Sequence, residues 1–278
     1  MINRRVRRRL GELPVHLLLA PPIASVLFLL YYLASNALKP TVEFYQSEVS
    51  IPHSLHLSAI SDALGEGKML IALRNSLILT GSSVLLALGV GAAAAFALAR
   101  LRVPARTTVF VAMLVPMAVS PLIVTIPLFA QMSQLGLVNT FAGAILIYLG
   151  LRLSFTIYVL EGVFRDLPDG LFEAARIDGA SEFHIFSRIV LPLAAPGLVA
   201  VSIVNMLEVW NDLVIGYLFL SNDSVRPLTA TVVSLQQKFA SNPQRIFAGL
   251  LLGALPMLIL YGIFQRAFVK GLMGGAFK

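Results

Sequence analysis

Glu173-Ala174-Ala175-Arg176-Ile177-Asp178-Gly179-Ala180-Ser181, followed at Ile189-Val190-Leu191-Pro192 by the start of another apolar segment, is the stretch on which the reading of the chain turns. Around it lies the densest charge of the second half: Arg165, Asp166, Asp169, Glu173, Arg176, Asp178, Glu182 and Arg188. The apolar segments on either side are each long enough to cross a bilayer, whereas charge at this density is too costly to hold in hydrocarbon. The stretch therefore lies in water. Pro168 suits a first helical turn, where its missing N–H costs nothing, and Asp169 and Glu173 sit near the positive end of the helix dipole, so a short helix is expected to begin near Pro168. Leu171, Ala174, Ala175 and Asp178 share a face by their three- and four-residue spacing, and Gly179 has the freedom to end the helix. Ser181 is placed to cap a second helix running toward Pro192. Two small alanines on an exposed face let another protein approach the backbone closely, which describes a docking knob. The plainer alternative is an amphipathic interfacial helix that joins two spans.

Composition sets the setting for that knob. The chain has 278 residues, 58% hydrophobic and 13% charged, far more apolar than the soluble average of roughly half apolar and a quarter charged. It reads as an all-α integral membrane protein. The formal charge of +7 is spread over the connections between apolar runs and does not form the concentrated patch a nucleic-acid partner needs, so it bears on orientation in a lipid membrane. There is no cysteine, which excludes disulfides and thiolate metal sites, and the four histidines make no metal pattern.

Spans are read at about 15–34, 76–99, 107–132, 139–164, 189–213 and 246–266, six in all, within one membrane domain covering 1–278. The first run follows Arg4, Arg5, Arg7, Arg8 and Arg9 and ends near Ala34-Ser35-Asn36-Ala37. Its length is nearer a span than the core of a secretory signal, so a retained span is expected. The connection 36–73 is polar and is expected to hold a short amphipathic helix near 61–74. Its Gly65-Glu66-Gly67-Lys68-Met69 glances at a phosphate loop, but Asp62 stands where the motif needs glycine and Met69 where it needs Ser or Thr. No nucleotide-binding motif is visible, and no catalytic or metal-binding set, so the chain itself reads as no enzyme and as holding no cofactor. The run 89–99, rich in Gly and Ala, allows close helix contacts in lipid.

Basic residues fall unevenly about these spans. Five precede the first, three lie in 100–106, three in 165–188 and three follow the last, all on one side, while Lys39, Lys68, Arg74, Arg226, Lys238 and Arg245 lie opposite. Both termini and the 165–188 loop are accordingly cytoplasmic.

Polar side chains inside spans form a second candidate site, because they are costly in lipid and face a cavity or a partner. Arg152, Asn205, Glu208, Asn211 and Asp212 qualify. Asn205, Glu208 and Asp212 recur at i, i+3 and i+7 and are expected to line a solute route together. Arg152, the one basic residue within a span, needs a partner or water: Glu208, at a distance that arginine's length partly covers, is one candidate, and a carbonyl-lined cavity, water or a partner subunit are the others. Trp210 is read either as an interfacial anchor or as a stacking platform.

The spacing from Glu173-Ala174-Ala175 through Gly179 to Ile189-Val190-Leu191-Pro192 resembles the cytoplasmic coupling loop of permease subunits in binding-protein-dependent ABC importers. Further segments resemble the carbohydrate-uptake branch, in particular the smaller permease of maltose-type transporters: Leu38-Lys39-Pro40, Asn75-Ser76-Leu77, Pro196-Gly197, Trp210-Asn211-Asp212, and the tail Gln265-Arg266-Ala267-Phe268-Val269-Lys270-Gly271-Leu272 continuing to Lys278. The resemblance covers nearly the whole chain. It implies a type I importer permease fold in a bacterial inner membrane, with a second homologous permease, two cytoplasmic ATPase subunits that use ATP and Mg, and an extracytoplasmic solute-binding protein. It also implies roles in ATPase coupling for Glu173 as a polar anchor, for Ala174 and Ala175 as a close-docking surface, and for Asp178 and Gly179 at the turn. The solute implied is a sugar or oligosaccharide. A sugar phosphate or other polar solute stays open, and an ion-coupled carrier is the reading from a different class. Glu161 departs from the branch, which often carries a basic residue there.

Overall fold

The computed structural model describes residues 4–65, 68–239 and 242–276, with side chains over 17–65, 68–239 and 242–262. The side chains of the N-terminal arginines and of the 265–278 tail, and Glu66 and Gly67, lie outside the described residues. In chain order the helices are α1 Arg4–Leu38, α2 Thr41–Gln46, α3 Ser58–Gly65, α4 Met69–Arg100, α5 Arg106–Leu114 with a 3₁₀ turn Val115–Ala118, α6 Pro121–Gln134, α7 Phe141–Arg165, α8 Asp169–Ile177 and α9 Glu182–His184. A π-helical turn Ile185–Val190 leads to α10 Leu191–Leu193, α11 Ala195–Asn211, α12 Val214–Phe219, α13 Leu228–Lys238 and α14 Pro243–Ala276.

Among the described residues, four helical segments are long and apolar enough to cross a membrane: Leu17–Leu38, Met69–Arg100, Phe141–Arg165 and Pro243–Gly262. Two bent pairs, Arg106–Ala118 with Pro121–Gln134 at 94° and Glu182–Leu193 with Ala195–Asn211 at 76°, bring the number to six when each pair is one span. The apolar runs 107–132 and 189–213 read as continuous in sequence, and proline breaks both. Pro116 sits in the 3₁₀ turn and Pro121 opens α6, while Pro192 and Pro196 flank the bend at Ala194. Each ring removes an amide donor and crowds the preceding turn. The helix expected near 61–74 is divided as well: α3 ends at Gly65, Lys68 takes a left-handed φ of 53°, and Arg74 belongs to α4.

The chain forms two compact units, residues 1–69 with 232–255 and residues 70–231 with 256–278. In the first, Phe247 meets Tyr32 edge-on at 5.5 Å between ring centroids and Phe44 at 5.7 Å. Arg245 pairs with Asp62 at 2.7 Å. Lys39, 1% exposed, donates its ammonium to Asn36 Oδ1 at 3.3 Å and to the carbonyls of Ser47 and Glu48 at 3.0 Å each, which fastens the connection after α1.

In the second unit one core gathers Ala92, Ala95 and Phe96 of α4, Leu160 and Phe164 of α7, Phe172 and Ala175 of α8, and Ile185, Val190, Ala194 and Val201. A separate cluster packs Leu79 with Ala144, Ile147 and Tyr148 of α7, Val209 of α11, and Ile215 and Phe219 of α12. The small-residue stretch of α4 is used as the sequence suggests. A Cβ on Gly91 would stand 2.5 Å from Thr156 Cγ2, so only glycine lets α4 lie this close to α7.

Candidate functional site

The 165–188 loop is built from the sequence signals that announced it. Pro168 precedes α8 in extended conformation, and Asp169 fills its first turn. At the other end Gly179 has φ +81° and donates to Arg176 O at 3.1 Å, while the amide of Ala180 donates to Ala175 O at 2.9 Å. These two bonds are a Schellman closure, which needs a left-handed residue where Gly179 stands. Ser181 Oγ then accepts from the His184 amide at 3.2 Å and caps the next helix.

Exposure divides the helix differently from the expectation. Glu173, Ala174, Arg176, Ile177 and Asp178 are exposed, but Ala175 is buried beside Phe172 in the core shared with α4 and α7. The reason is helical phase: Phe172 and Ala175 are three apart and form the inward stripe, leaving Ala174 alone of the alanine pair on the open face. Ala175 thus seats α8 within its own chain. Glu173 makes no hydrogen bond or ion pair within the chain among the described residues. Arg176 and Glu182 close the loop by an ion pair at 2.9 Å, and that acceptor holds the guanidinium even more firmly protonated than usual.

A second constellation runs along the α7–α11 contact. Asn205, fully buried, donates Nδ2 to Thr156 Oγ1 at 2.8 Å, and Thr156 passes its own proton to Arg152 O at 2.9 Å. One turn on, Arg152 Nη1 meets Glu208 Oε2 at 3.1 Å. Another turn on, Tyr148 donates its hydroxyl to the Asp212 carboxylate at 3.2 Å, and that carboxylate also accepts the Ile215 amide at 2.8 Å. Tyr148, Arg152 and Thr156 are spaced by four on α7, so their partners stack as three polar rungs of one seam.

The seam departs from a single open face. Asn205 is sealed between the helices, and α11 ends at Asn211, so Asp212 has left the helix with φ −66° and ψ 123° and serves the turn into α12. Glu208 and Asn211 remain exposed. Trp210 is buried, 3% exposed. It lines an apolar cavity of about 370 Å³ together with Leu77, Val84, Ser202 and Met206, among others.

A family model described as binding-protein-dependent transport system inner membrane component matches residues 86–274. The chain belongs to that family. A diacetylchitobiose uptake system permease protein of Streptomyces coelicolor is 30% identical over 98% of this permease and 90% of the relative. A melibiose/raffinose/stachyose import permease protein of Bacillus subtilis is 33% identical over 94% and 95%. A trehalose transport system permease protein of Mycobacterium tuberculosis is 35% identical over 74% and 76%. In architecture the permease is similar to a chain of a bacterial ABC transporter that imports the acidic polysaccharide alginate, with a TM-score of 0.83 over 96% of this chain and 99% of that one at 21% identity.

Two residues of the permease carry the loop without any sequence signal. Arg100, the last residue of α4, donates to Phe164 O at 2.7 Å and Arg165 O at 2.9 Å, to Leu167 O, and to the Asp169 carboxylate, with its guanidinium 4.2 Å from the Phe172 ring centroid. A planar fork of five donors is suited to this, because it satisfies the orphan carbonyls ending α7 while reaching the first residue of α8. Glu161, 3% exposed, accepts from Arg106 at 2.8 Å and from Arg165 Nε at 3.1 Å. The acidic departure at Glu161 is therefore paired on both sides. A single basic or acidic letter at a helix end gives no hint of such a hub, since Arg106 lies 55 residues from Glu161 in sequence and Asp169 lies 69 from Arg100.

Proposed function

We propose that this permease is the membrane-spanning subunit of an ATP-driven, binding-protein-dependent importer that carries a sugar or oligosaccharide into the cytoplasm. The observation that carries the reading is α8: an exposed helix presenting Glu173, Ala174 and Asp178, closed by Gly179, and bound through Arg100 to the ends of α4 and α7. A surface held to two spans by one largely enclosed guanidinium is suited to receive force from another protein and pass it to helices in the bilayer. Glu173, which makes no hydrogen bond among the described residues, is placed to meet an ATPase subunit, Ala174 leaves room for close approach, and Ala175 seats the helix from beneath.

In this reading the assembly contains a second homologous permease, two ATPase subunits that bind ATP and Mg, and an extracytoplasmic solute-binding protein, with both termini of this chain in the cytoplasm. The basic residues of 100–106 and 165–188 favour that orientation. Relatives whose names specify diacetylchitobiose, melibiose/raffinose/stachyose and trehalose transport support a sugar as the solute. Glu208 and Asn211, exposed at the seam with Arg152 behind them, are the side chains placed to meet hydroxyl groups on the route, while Asn205 and Asp212 hold the seam together.

The test is ATP-dependent uptake of radiolabelled oligosaccharides by the whole assembly in vesicles, with ligands carried by the binding protein identified by mass spectrometry. Uptake that requires both ATPase and binding protein is expected. Ion-gradient-driven uptake by this chain alone would refute the reading.

A further inference from the structure

Glu208 and Arg152 are unequal partners, and the inequality has a chemical consequence. The Arg152 side chain is 19% exposed and its Nε is buried without a partner, whereas the Glu208 side chain is 56% exposed. Only Oε2 of the carboxylate is engaged by the arginine. The pair is neutral in sum, but what it turns outward is carboxylate.

The remaining acidic group of the rungs is Asp212, whose charge is used by Tyr148 and the Ile215 amide and adds to the same sign. Among the described residues no second cation joins the rungs to balance it. Arg152 lies near the middle of α7 and Glu208 three residues before the end of α11, and a half-exposed ion pair within apolar helices cannot face hydrocarbon without large cost, so the open side of Glu208 faces water or a polar neighbour. A fixed charge in a narrow aqueous path with low-dielectric walls sets up a field over the whole cross-section, concentrating ions of opposite sign and depleting those of its own.

We infer that Glu208 makes the route selective by charge, admitting neutral and cationic polyhydroxylated solutes and holding back those that carry carboxylate or phosphate groups. This rests on the reading of the seam as part of the route, and it narrows the solute: a neutral or amino sugar is passed and a sugar phosphate is not. Carboxylate oxygens also accept hydrogen bonds from sugar hydroxyls, so the group that repels anions gives neutral solutes a point of contact. The likeness to an alginate importer chain extends to the fold, and a route of this sign disfavours an acidic polysaccharide.

The permease has no cysteine, so a single introduced thiol reports cleanly on its surroundings. Asn211→Cys, one turn beyond Glu208 on the same face, is placed in the complete transporter in membrane vesicles. It is then reacted with methanethiosulfonates of opposite charge, the trimethylammonium-ethyl and sulfonato-ethyl forms, with labelling of this subunit read by mass. At about 6 Å, a unit charge in water changes the local concentration of each monovalent reagent about threefold in opposite directions. Screening at physiological salt leaves a change of roughly threefold in the cation-to-anion rate ratio.

Glu208→Gln should lower that ratio by about threefold, and Arg152→Gln should raise it. If Glu208→Gln prevents assembly, the Arg152→Gln comparison carries the test by itself. Labelling whose charge ratio is unmoved by either substitution overturns the selectivity while leaving the hydrated route intact. Failure of both reagents to label the introduced thiol in resting and in ATP-cycling transporter overturns the route and the selectivity together.

Discussion

Replacing Arg100 by lysine keeps the charge and removes the fork, and the structure sets how much this should matter. Arg100 reaches carbonyls of three residues and one carboxylate, with only 10% of its side chain exposed. A lysine ammonium has three donors at one point and cannot span acceptors on Phe164, Arg165, Leu167 and Asp169 at once. Two lost charge-assisted bonds at about 1.5 kcal/mol each, partly recovered by the ammonium, leave roughly 2 kcal/mol. The Asp169 partner adds little, because its side chain is 83% exposed and an exposed pair is worth about 0.2–1 kcal/mol. About 2 kcal/mol is about thirtyfold in a local opening equilibrium, so amide exchange over residues 169–178 of the purified transporter should accelerate by that factor. Asp169→Asn should change it by less than about fivefold. The reasoning fails if Arg100→Lys leaves exchange within about twofold of the parent, or if Asp169→Asn has the larger effect. Uptake per ATP hydrolysed should fall as the exchange rate rises when α8 transmits motion.

A Cβ added at Gly179 meets no neighbour within 4 Å, so the cost of Gly179→Leu is taken as backbone strain at φ +81°, about 1–2 kcal/mol; loss of ATPase subunits during purification measures it, with a smaller loss for Gly179→Asn. Gly91→Ala puts a Cβ 2.5 Å from Thr156 Cγ2 and should lower the yield of folded protein by a destabilisation of about 1–3 kcal/mol. Adding Thr156→Ser, which deletes that methyl and keeps the hydroxyl bonded to Asn205, should restore part of the yield, since the Cβ of residue 156 stays 3.0 Å away. Single cysteines at Ser181 and Asn222 should label from opposite faces of sealed membranes, and labelling from the same face would overturn the topology derived from the spans and the basic residues.

The parts of the fold that could be read in advance were those governed by local chemistry. Apolar runs marked the spans, and the pattern Pro168, Gly179, Ser181 marked the start, stop and restart of the loop helices, since each acts within one turn of its own position. Three things were beyond that range. Ala174 and Ala175 look alike in sequence, and only the position of Phe172 against α4 decides which is buried. Asp212 continues a helical spacing on paper, but the helix stops at Asn211, where the carboxylate is drawn to the Ile215 amide and the Tyr148 hydroxyl. Arg100 and Glu161 acquire their importance from partners brought together by packing, which no local pattern encodes. Arg152 and Glu208 stand between these cases: the need of a mid-span cation for a partner was evident, and 3.1 Å is the distance at which that need is met.

The π turn at Ile185–Val190 winds more residues into each turn than the α-helix around it, so the chain stores slack there. Were that turn to tighten to α winding, one residue would be released, and the chain beyond would advance about 1.5 Å and swivel by about 100°. Asn205 locked on Thr156 and Glu208 locked on Arg152 hold α11 against such a swivel. The displaced residue would have to be absorbed at Ala194, where φ −85° and ψ 6° already depart from helix and the proline on either side leaves few amide bonds to break. The short reach from Ser181 to Ala194 thus holds one residue of slack, and the polar seam fixes α11 on its far side.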